Sequence, residues 1–470
     1  MKKLIKNGTL VTASDTFKAD ILIDGETIQQ VGIGFTADGA EVIDATGLFV
    51  MPGGIDPHCH FDLPMFNTVS SDDHYTGGKA AAFGGTTTVM DFISLEKNDF
   101  QQSFDAWRAL TAKSPIDHSA HMNLTHFDDS LEKQLPGLVQ NGITTLKVFT
   151  AYNHRLRLDD GAIFKALLAA RENGMLIMVH CENGDVIEQL VPKALAAGHT
   201  SPAWHAYTRP KWGAVEATLR MAAMAEQADS PVYIVHMNAG GEADMLQYAR
   251  ERGVKVMGET CPPYLFFTVE NMEQADGAKW ICSPPMRDKE DNERLWKALN
   301  QNTLQTIGTD HCPFFFDGTK AIEYEGKKIA IPGKELGNND FTKIPNGLPG
   351  VQDRLPIMWT YGVGTGKITM NQFVAYTSTN PAKIFGLYPK KGLLAAGADA
   401  DIVLWDPNKE VDYGVAKSHQ RTDYSLYEGW KLKGYPVKVL LRGNVIVDGE
   451  NWLGKSGNGK FLKRNQGMVI

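Results

Sequence analysis

The chain has 470 residues, of which 43% are apolar and 22% charged. That is the balance of a soluble globular protein, long enough for two or three domains or for one barrel with additions. Its 47 basic and 55 acidic side chains leave a net charge of -8, which argues against nucleic acid as a partner, because a phosphate-binding surface needs a basic patch. No apolar run approaches the length of a membrane span, and the start, Met1-Lys2-Lys3-Leu4-Ile5-Lys6, shows no long apolar segment before a cleavage site. A cytoplasmic protein with no membrane partner is expected.

Residues 1–51 read as short strands with tight turns at Asn7-Gly8 and Asp24-Gly25, pairs that favour hairpins. Residues 386–455 repeat the style in "ADADIVLWDP" and "VKVLLRGNVIVDGE", with a turn at Arg442-Gly443-Asn444. The two ends are expected to pair into one small β-sandwich domain. Residues 456–470 are Gly-rich and basic and are expected to form a tail. Between the ends, over 52–385, short apolar runs alternate with amphipathic helical stretches such as "GAIFKALLAARENG". The runs are "GLFVMPGGID", "TTTVMDFI", "SAHMNLT", "TTLKVFTAY", "LIMVHCE", "PVYIVHMN", "VKVMGETC" and "LQTIGTDHC". That alternation predicts an α/β fold, a (β/α)8 TIM-type barrel. The alternative, a doubly wound open sheet, usually carries a Gly-rich phosphate turn after its first strand, and none is present.

Polar residues close or interrupt these runs. His58 and His60 follow the first; on a strand, residues i and i+2 share a face, so the pair points one way and Cys59 the other. His180 ends "LIMVH", His236 ends "PVYIVH", Asp310 ends "LQTIGTD", and Lys147 lies inside "TTLKVF". In a barrel, strand C-termini are where active sites form, and histidines gathered there with a carboxylate suit a metal ion. The odd count of five cysteines, none in a CxxC pair, argues against a disulfide framework, and they read as packing residues. Lys147 leaves two readings open. An ammonium has no acceptor and cannot ligate a cation, so it is either a catalytic amine of lowered pKa or a lysine carboxylated by carbon dioxide, whose two oxygens can bridge two metals.

Together these segments, with "MPGGIDPHCHFDLP", "LKVFTAY", "VHCEN", "ETCPPYL", "CSPPMR", "GTDHCPF" and "DFTKIPNGLPG", resemble the cyclic amidohydrolases of the amidohydrolase superfamily, in particular dihydropyrimidinase and the D-hydantoinases. The resemblance spans nearly the whole chain. It implies two zinc ions per chain bridged by N6-carboxylated Lys147, with His58, His60 and Asp310 on one ion and His180 and His236 on the other. It implies that Tyr152 donates a hydrogen bond to the oxyanion, and that Ser283 and Asn346 hold the ring amides. It further implies hydrolytic ring opening of a dihydropyrimidine or 5-substituted hydantoin to an N-carbamoyl amino acid. A hydroxide shared by the metals would attack, and Asp310 would act as general base and then acid. A homotetramer, with the tail reaching a neighbouring subunit, is also implied.

Within that family, dihydroorotate hydrolysis calls for an arginine just after the paired histidines. Phe61-Asp62-Leu63 stands there instead. Leu63, Phe149 and Met65 are expected to offer an apolar pocket for a ring substituent. Two further readings follow from the same resemblance: an allantoinase-like hydrolase on the same metal site, and a non-enzymatic collapsin-response mediator-like scaffold, which would lack most of the ligands. The segment "FFDGTKAIEYEGKKIAIPGKELGNN" after Asp310 is longer than the family implies, and it is expected to cover the site, contact a neighbour or lie solvated.

Overall fold

Pro52 and Gly53 divide one apolar run between two sheets. The computed structural model describes residues 2–36, 39–65 and 67–470. Phe49–Pro52 is a strand of the terminal sheet, whereas Gly54–Asp56 opens the barrel. Proline has no N–H to continue a ladder. Gly53 lies so close to the next strand that a Cβ on it would fall 2.1 Å from Thr87 Oγ1.

The barrel strands are β1 (Gly54–Asp56), β2 (Thr86–Ile93), β3 (Asp117–Asn123), β4 (Thr145–Phe149), β5 (Leu176–His180), β6 (Val232–Ile234), β7 (Val256–Thr260) and β8 (Thr306–Ile307). They are neighbours in that order, and every pair is parallel. All eight coincide with the runs predicted from the sequence. Residues of β2, β5 and β7 are buried throughout, as they must be when helices cover a sheet outside and side chains fill it inside.

No ladder joins β1 to β8. Arg354, fully buried, bridges the seam: its Nη1 donates to Ile55 O at 2.8 Å and Ile307 O at 2.9 Å, and its Nη2 to Thr86 Oγ1 at 3.0 Å. A buried guanidinium costs several kcal/mol unless its hydrogens find acceptors, and both edge strands supply one. Just past the strand ends, Asp310 N donates to His58 O at 2.9 Å and His60 N to His311 O at 2.7 Å. This pairing brings the ends of the first and last strands side by side.

Strands from both chain ends form a single nine-stranded sheet, joined where Ile402–Tyr413 pairs antiparallel with Phe49–Pro52. Ile5, Leu10, Ile21, Ile402, Leu404 and Leu440 belong to its own apolar core. The turns expected at Gly25 and Gly443 have positive φ, 60° and 73°. Asn7-Gly8 is not a turn. It lies inside the strand Lys2–Val11, where the register shifts between Ile5 and Gly8 and Asn7 takes φ 65°. The residue pair that favours a hairpin here makes a bulge.

The first part of the tail packs on its own barrel, and Met468, Val469 and Ile470 at its end are exposed. Leu462 N donates to His118 O at 2.8 Å and Arg464 N to Gly142 O at 3.0 Å. Phe461 meets Trp107 edge-on at 5.9 Å, and Leu462 and Arg464 are buried. An apolar pair and a buried arginine commit this segment to the beginnings of the barrel strands. The long segment after Asp310 forms an exposed hairpin, Ile322–Tyr324 with Lys327–Ile329.

Candidate metal centre

Each expected ligand stands on or just beyond a different barrel strand, except that β1 supplies two. His58 is buried and His60 partly exposed. Cys59 between them turns away, its Sγ donating to Met90 O at 3.3 Å. His58 Nδ1 lies 2.7 Å from Glu259 Oε1, which leaves Nε2 facing Asp310 Oδ1 at 3.1 Å. His60 Nε2 lies 3.0 Å from the same oxygen. On the other side of the site, His180 Nε2 lies 2.8 Å from Glu182 Oε2, and its Nδ1 faces His236 Nε2 at 3.1 Å. Ligand atoms of His58, His236 and Asp310 all lie within 4.8 Å of one another. Glu259 and Glu182 each take one ring nitrogen, and this fixes which nitrogen the histidine turns inward.

Burial opposes charge on His58, but the Asp310 and Glu259 carboxylates outweigh it and push the ring up to about 9. Burial also works against ionised Asp310, yet the adjacent His58 holds the carboxyl well below the usual range. Burial, the Lys147 charge and His180 hold His236 well below its ordinary value. Lys147 is 2% exposed. Its ammonium has no hydrogen-bond acceptor among the described residues and stands 5.2 Å from the ring centroids of Phe92 and Phe149. Burial brings it down to about 8, against the pull of Asp310 and Glu259.

The donor set fits divalent metal. Four imidazoles and a carboxylate turn their free atoms toward each other, and His236 Nδ1 is buried without a partner. Backbone strain is present in the site: Tyr152, His236 and Asp310 take φ of 66°, 37° and 52°, the left-handed region that non-glycine residues adopt at a cost of order 1–3 kcal/mol.

One pocket is bordered by every residue singled out from the sequence. Besides the ligands, Leu63, Met65, Phe149, Tyr152, Ser283 and Asn346 line it. Asn346 Nδ2 donates to Ser283 Oγ at 3.2 Å. The long insertion does not border this pocket. It touches segments that do, where Thr68, paired with Met65, donates to Pro332 O and Lys334 Nζ donates to Ile281 O at 3.0 Å and Pro345 O at 3.2 Å.

Sequence reasoning missed Glu182, Glu259, His205, Arg209 and Lys334. Glu259 was within reach, because it is a charged residue near the end of an apolar strand, the signal used for His180. His205 and Lys334 carry no such signal, since each reaches the site from a connecting segment. Arg155 and Leu156 also border the pocket, so a cation does stand at its rim, from a different loop than the one inspected for an arginine.

The profile of the amidohydrolase family matches residues 49–446. The D-hydantoinase of Geobacillus stearothermophilus is 45% identical over 99% of this chain and 97% of its own length. The D-phenylhydantoinase of Escherichia coli is 37% identical over 99% and 98%. Among solved structures, the dihydropyrimidinase of Brevibacillus agri superposes with a TM-score of 0.95 at 45% identity, covering all of both chains. The L-hydantoinase (dihydropyrimidinase) of Arthrobacter aurescens gives 0.87 at 26% identity, covering 98% and 99%. With its strand order, its candidate ligands at the strand ends and these full-length matches, the chain belongs to the amidohydrolase family.

Proposed function

We propose that the protein opens cyclic amide rings, a 5-substituted hydantoin or a dihydropyrimidine such as 5,6-dihydrouracil, to the N-carbamoyl amino acid. The observation that carries this reading is the convergence of four histidines, Lys147, Asp310, Tyr152 and the apolar Leu63, Met65 and Phe149 on one pocket, in a chain whose full-length relatives include D-hydantoinases and a dihydropyrimidinase.

His58, His60 and Asp310 would hold one zinc ion and His180 and His236 the other, with Lys147 between them as the carboxylated form. Lysine carboxylation requires a neutral amine, and burial lowers the Lys147 ammonium to about 8, so a reactive fraction exists at neutral pH. When bound, such a pair of ions supplies Lewis acidity and makes a shared water acidic enough to attack near neutral pH.

The chain's own groups do the rest. Asp310 takes the proton of the attacking water and delivers it to the ring nitrogen as the C–N bond breaks, base in the first half and acid in the second. Tyr152 stands 5.1 Å, ring to ring, from His180 and donates its hydrogen to the carbonyl oxygen as that oxygen gains charge. An aimed donor of this kind is worth about 10²–10³ in rate. Ser283 and Asn346 hold the ring's amide groups. Leu63, Met65 and Phe149 receive the substituent, where each buried methylene contributes about 0.8 kcal/mol.

The test is turnover by zinc-loaded protein of dihydrouracil, a 5-substituted hydantoin, allantoin and dihydroorotate. Dihydrouracil or hydantoin turnover is expected. Turnover of allantoin or dihydroorotate alone would leave the metal reading standing and sink the substrate reading. Absence of bound metal after loading would sink both and favour a scaffold.

A further inference from the structure

The loops after β7 and β8 carry the two segments proposed to hold the ring, and a lysine from the long insertion ties them together. Ile281, Cys282 and Ser283 form one arm, and Pro345, Asn346 and Gly347 the other; Ser283, Asn346 and Gly347 line the pocket. The arms meet directly in two places. Gly347 N donates to Ile281 O at 3.0 Å, and Asn346 Nδ2 to Ser283 Oγ at 3.2 Å. Lys334 Nζ adds a third tie, donating to Ile281 O at 3.0 Å and to Pro345 O at 3.2 Å. Pro345 O belongs to the peptide bond that enters Asn346, and Ile281 O to the one that enters Cys282, a residue before Ser283. His205 holds the first arm further along, its Nε2 2.9 Å from Cys282 O and 3.0 Å from Ser283 Oγ.

Lys334 is 1% exposed and ion-pairs with no carboxylate among the described residues. A buried Nζ without a counter-charge is costly unless acceptors receive its hydrogens. Lys147 finds no acceptor, whereas Lys334 gives its hydrogens to two carbonyls. Burial brings its ammonium down to about 7, and the neutral amine still has hydrogens for both. The insertion is shaped to deliver this side chain. Gly333 passes so close to Phe315 that a Cβ on it would fall 1.9 Å from Phe315 O, and Lys334 N donates to that same oxygen at 2.7 Å. The Glu335 carboxylate closes the turn, accepting from Gly318 N at 2.9 Å and Gly333 N at 3.0 Å. An apolar side chain of the same length would fill the same space, so what Nζ adds is its hold on the distance between the arms.

We propose that Lys334 is a positioning residue for the ring-amide subsite: by bridging the carbonyls of Ile281 and Pro345 it fixes the spacing of Ser283 and Asn346, and so the fit of the cyclic amide between them. This inference rests on the ring-holding part proposed for Ser283 and Asn346.

Lys334→Met tests it in zinc-loaded, full-length protein with dihydrouracil and a 5-substituted hydantoin. The variant keeps the length of the side chain and removes the donor. Because the arms hold the ring before and during the reaction alike, KM should rise about 10-fold and kcat should stay within about 3-fold, with the parent's metal content. A purely structural lysine would give the opposite split, a lower kcat from a smaller folded fraction at the parent's KM, and that result would overturn the proposal. Loss of bound metal would overturn it too. Should Lys334→Met fail to fold, Lys334→Gln is measured in its place. Its shorter amide keeps a donor, so KM should rise about 3-fold or more at unchanged kcat, and the parent's KM overturns the proposal. Exchange of backbone hydrogens reads the arms without substrate. In the variant, segments 278–283 and 344–348 should exchange at least about 10-fold faster, while those carrying His180 and His236 keep the parent's rates. Unchanged exchange at both arms would sink the inference even if KM rises. If the parent opens neither ring class, the substrate reading falls, and faster exchange at the arms still upholds the hold of Lys334 on them.

Discussion

Two buried lysines sit toward opposite ends of the same barrel in opposite company. Lys391 meets Asp117 at the start of β3, its Nζ 2.7 Å from Asp117 Oδ2, 2.7 Å from Asp401 Oδ2 and 3.0 Å from Asp399 Oδ2. Burial pulls its pKa down, but three carboxylates more than offset it and the net shift is upward. Lys147, on β4 and facing the candidate ligands at the strand ends, stands over aromatic rings and makes no hydrogen bond to a carboxylate among the described residues, and burial wins over the more distant pull of Asp310 and Glu259. A buried charge surrounded by counter-charges holds structure together. One left without them is held ready for chemistry, and in TIM-type barrels those two duties separate by face.

The comparison breaks most visibly at Lys147. Lys147→Ala should lose activity on the order of 10³-fold or more, because the proposed metal site that Lys147 would bridge would supply several kcal/mol of transition-state stabilisation. Metal content should fall with it, and acetate should restore part of the rate. Near-normal rates with both metals retained would put Lys147 on the structural side with Lys391. Lys391→Met should act the other way. It takes the cation from Asp399 and Asp401, leaves Asp117 with Arg442 alone, and should destabilise the fold by about 3–5 kcal/mol in urea titration, while KM and metal content per folded molecule stay unchanged. A stable Lys391→Met protein would show that the carboxylate cluster needs no cation beyond Arg442. Glu259→Gln sharpens the catalytic side. Loss of the carboxylate behind His58 should weaken metal binding about 10- to 100-fold in chelator competition, and unchanged affinity would mean that His58 keeps its orientation without Glu259. The smallest effect is expected from shortening the exposed hairpin at 321–330, which borders no part of the pocket. KM should move by less than about 3-fold, and a larger shift would restore that loop as a cover.

Much of this protein was legible because its barrel strands are short, apolar and interrupted by charge at one end. A fully buried strand can tolerate a histidine or aspartate only where something compensates it, so His180, His236 and Asp310 announce themselves by position. Lys147 did so too, although its chemistry stayed open, because the same ammonium reads as an amine nucleophile or as a carboxylated bridge until its surroundings are known. Asn7-Gly8 shows the limit of local signals. The pair permits a tight turn, but the chain runs on through it as a strand, paired with Phe49 and Val50 about forty residues away, and the pair sits in a bulge instead. The tail shows another limit. Basic, Gly-rich residues look like a free arm, and only the folded barrel reveals a place for Phe461, Leu462 and Arg464 on its underside.

By itself, the sequence determined the eight barrel strands, the pairing of the two chain ends and the candidate ligands, since hydrophobic periodicity and the cost of burying charge act locally along the chain. Tertiary structure alone decided which carboxylate orients which histidine, which buried lysine is neutralised, and how His205, Ser283 and Asn346 come within hydrogen-bond reach of one another. Those relations join residues 78 and 63 positions apart in His205–Ser283 and Ser283–Asn346. A hydrogen bond depends on ångström-scale approach and direction, which residue type and spacing along the chain do not encode.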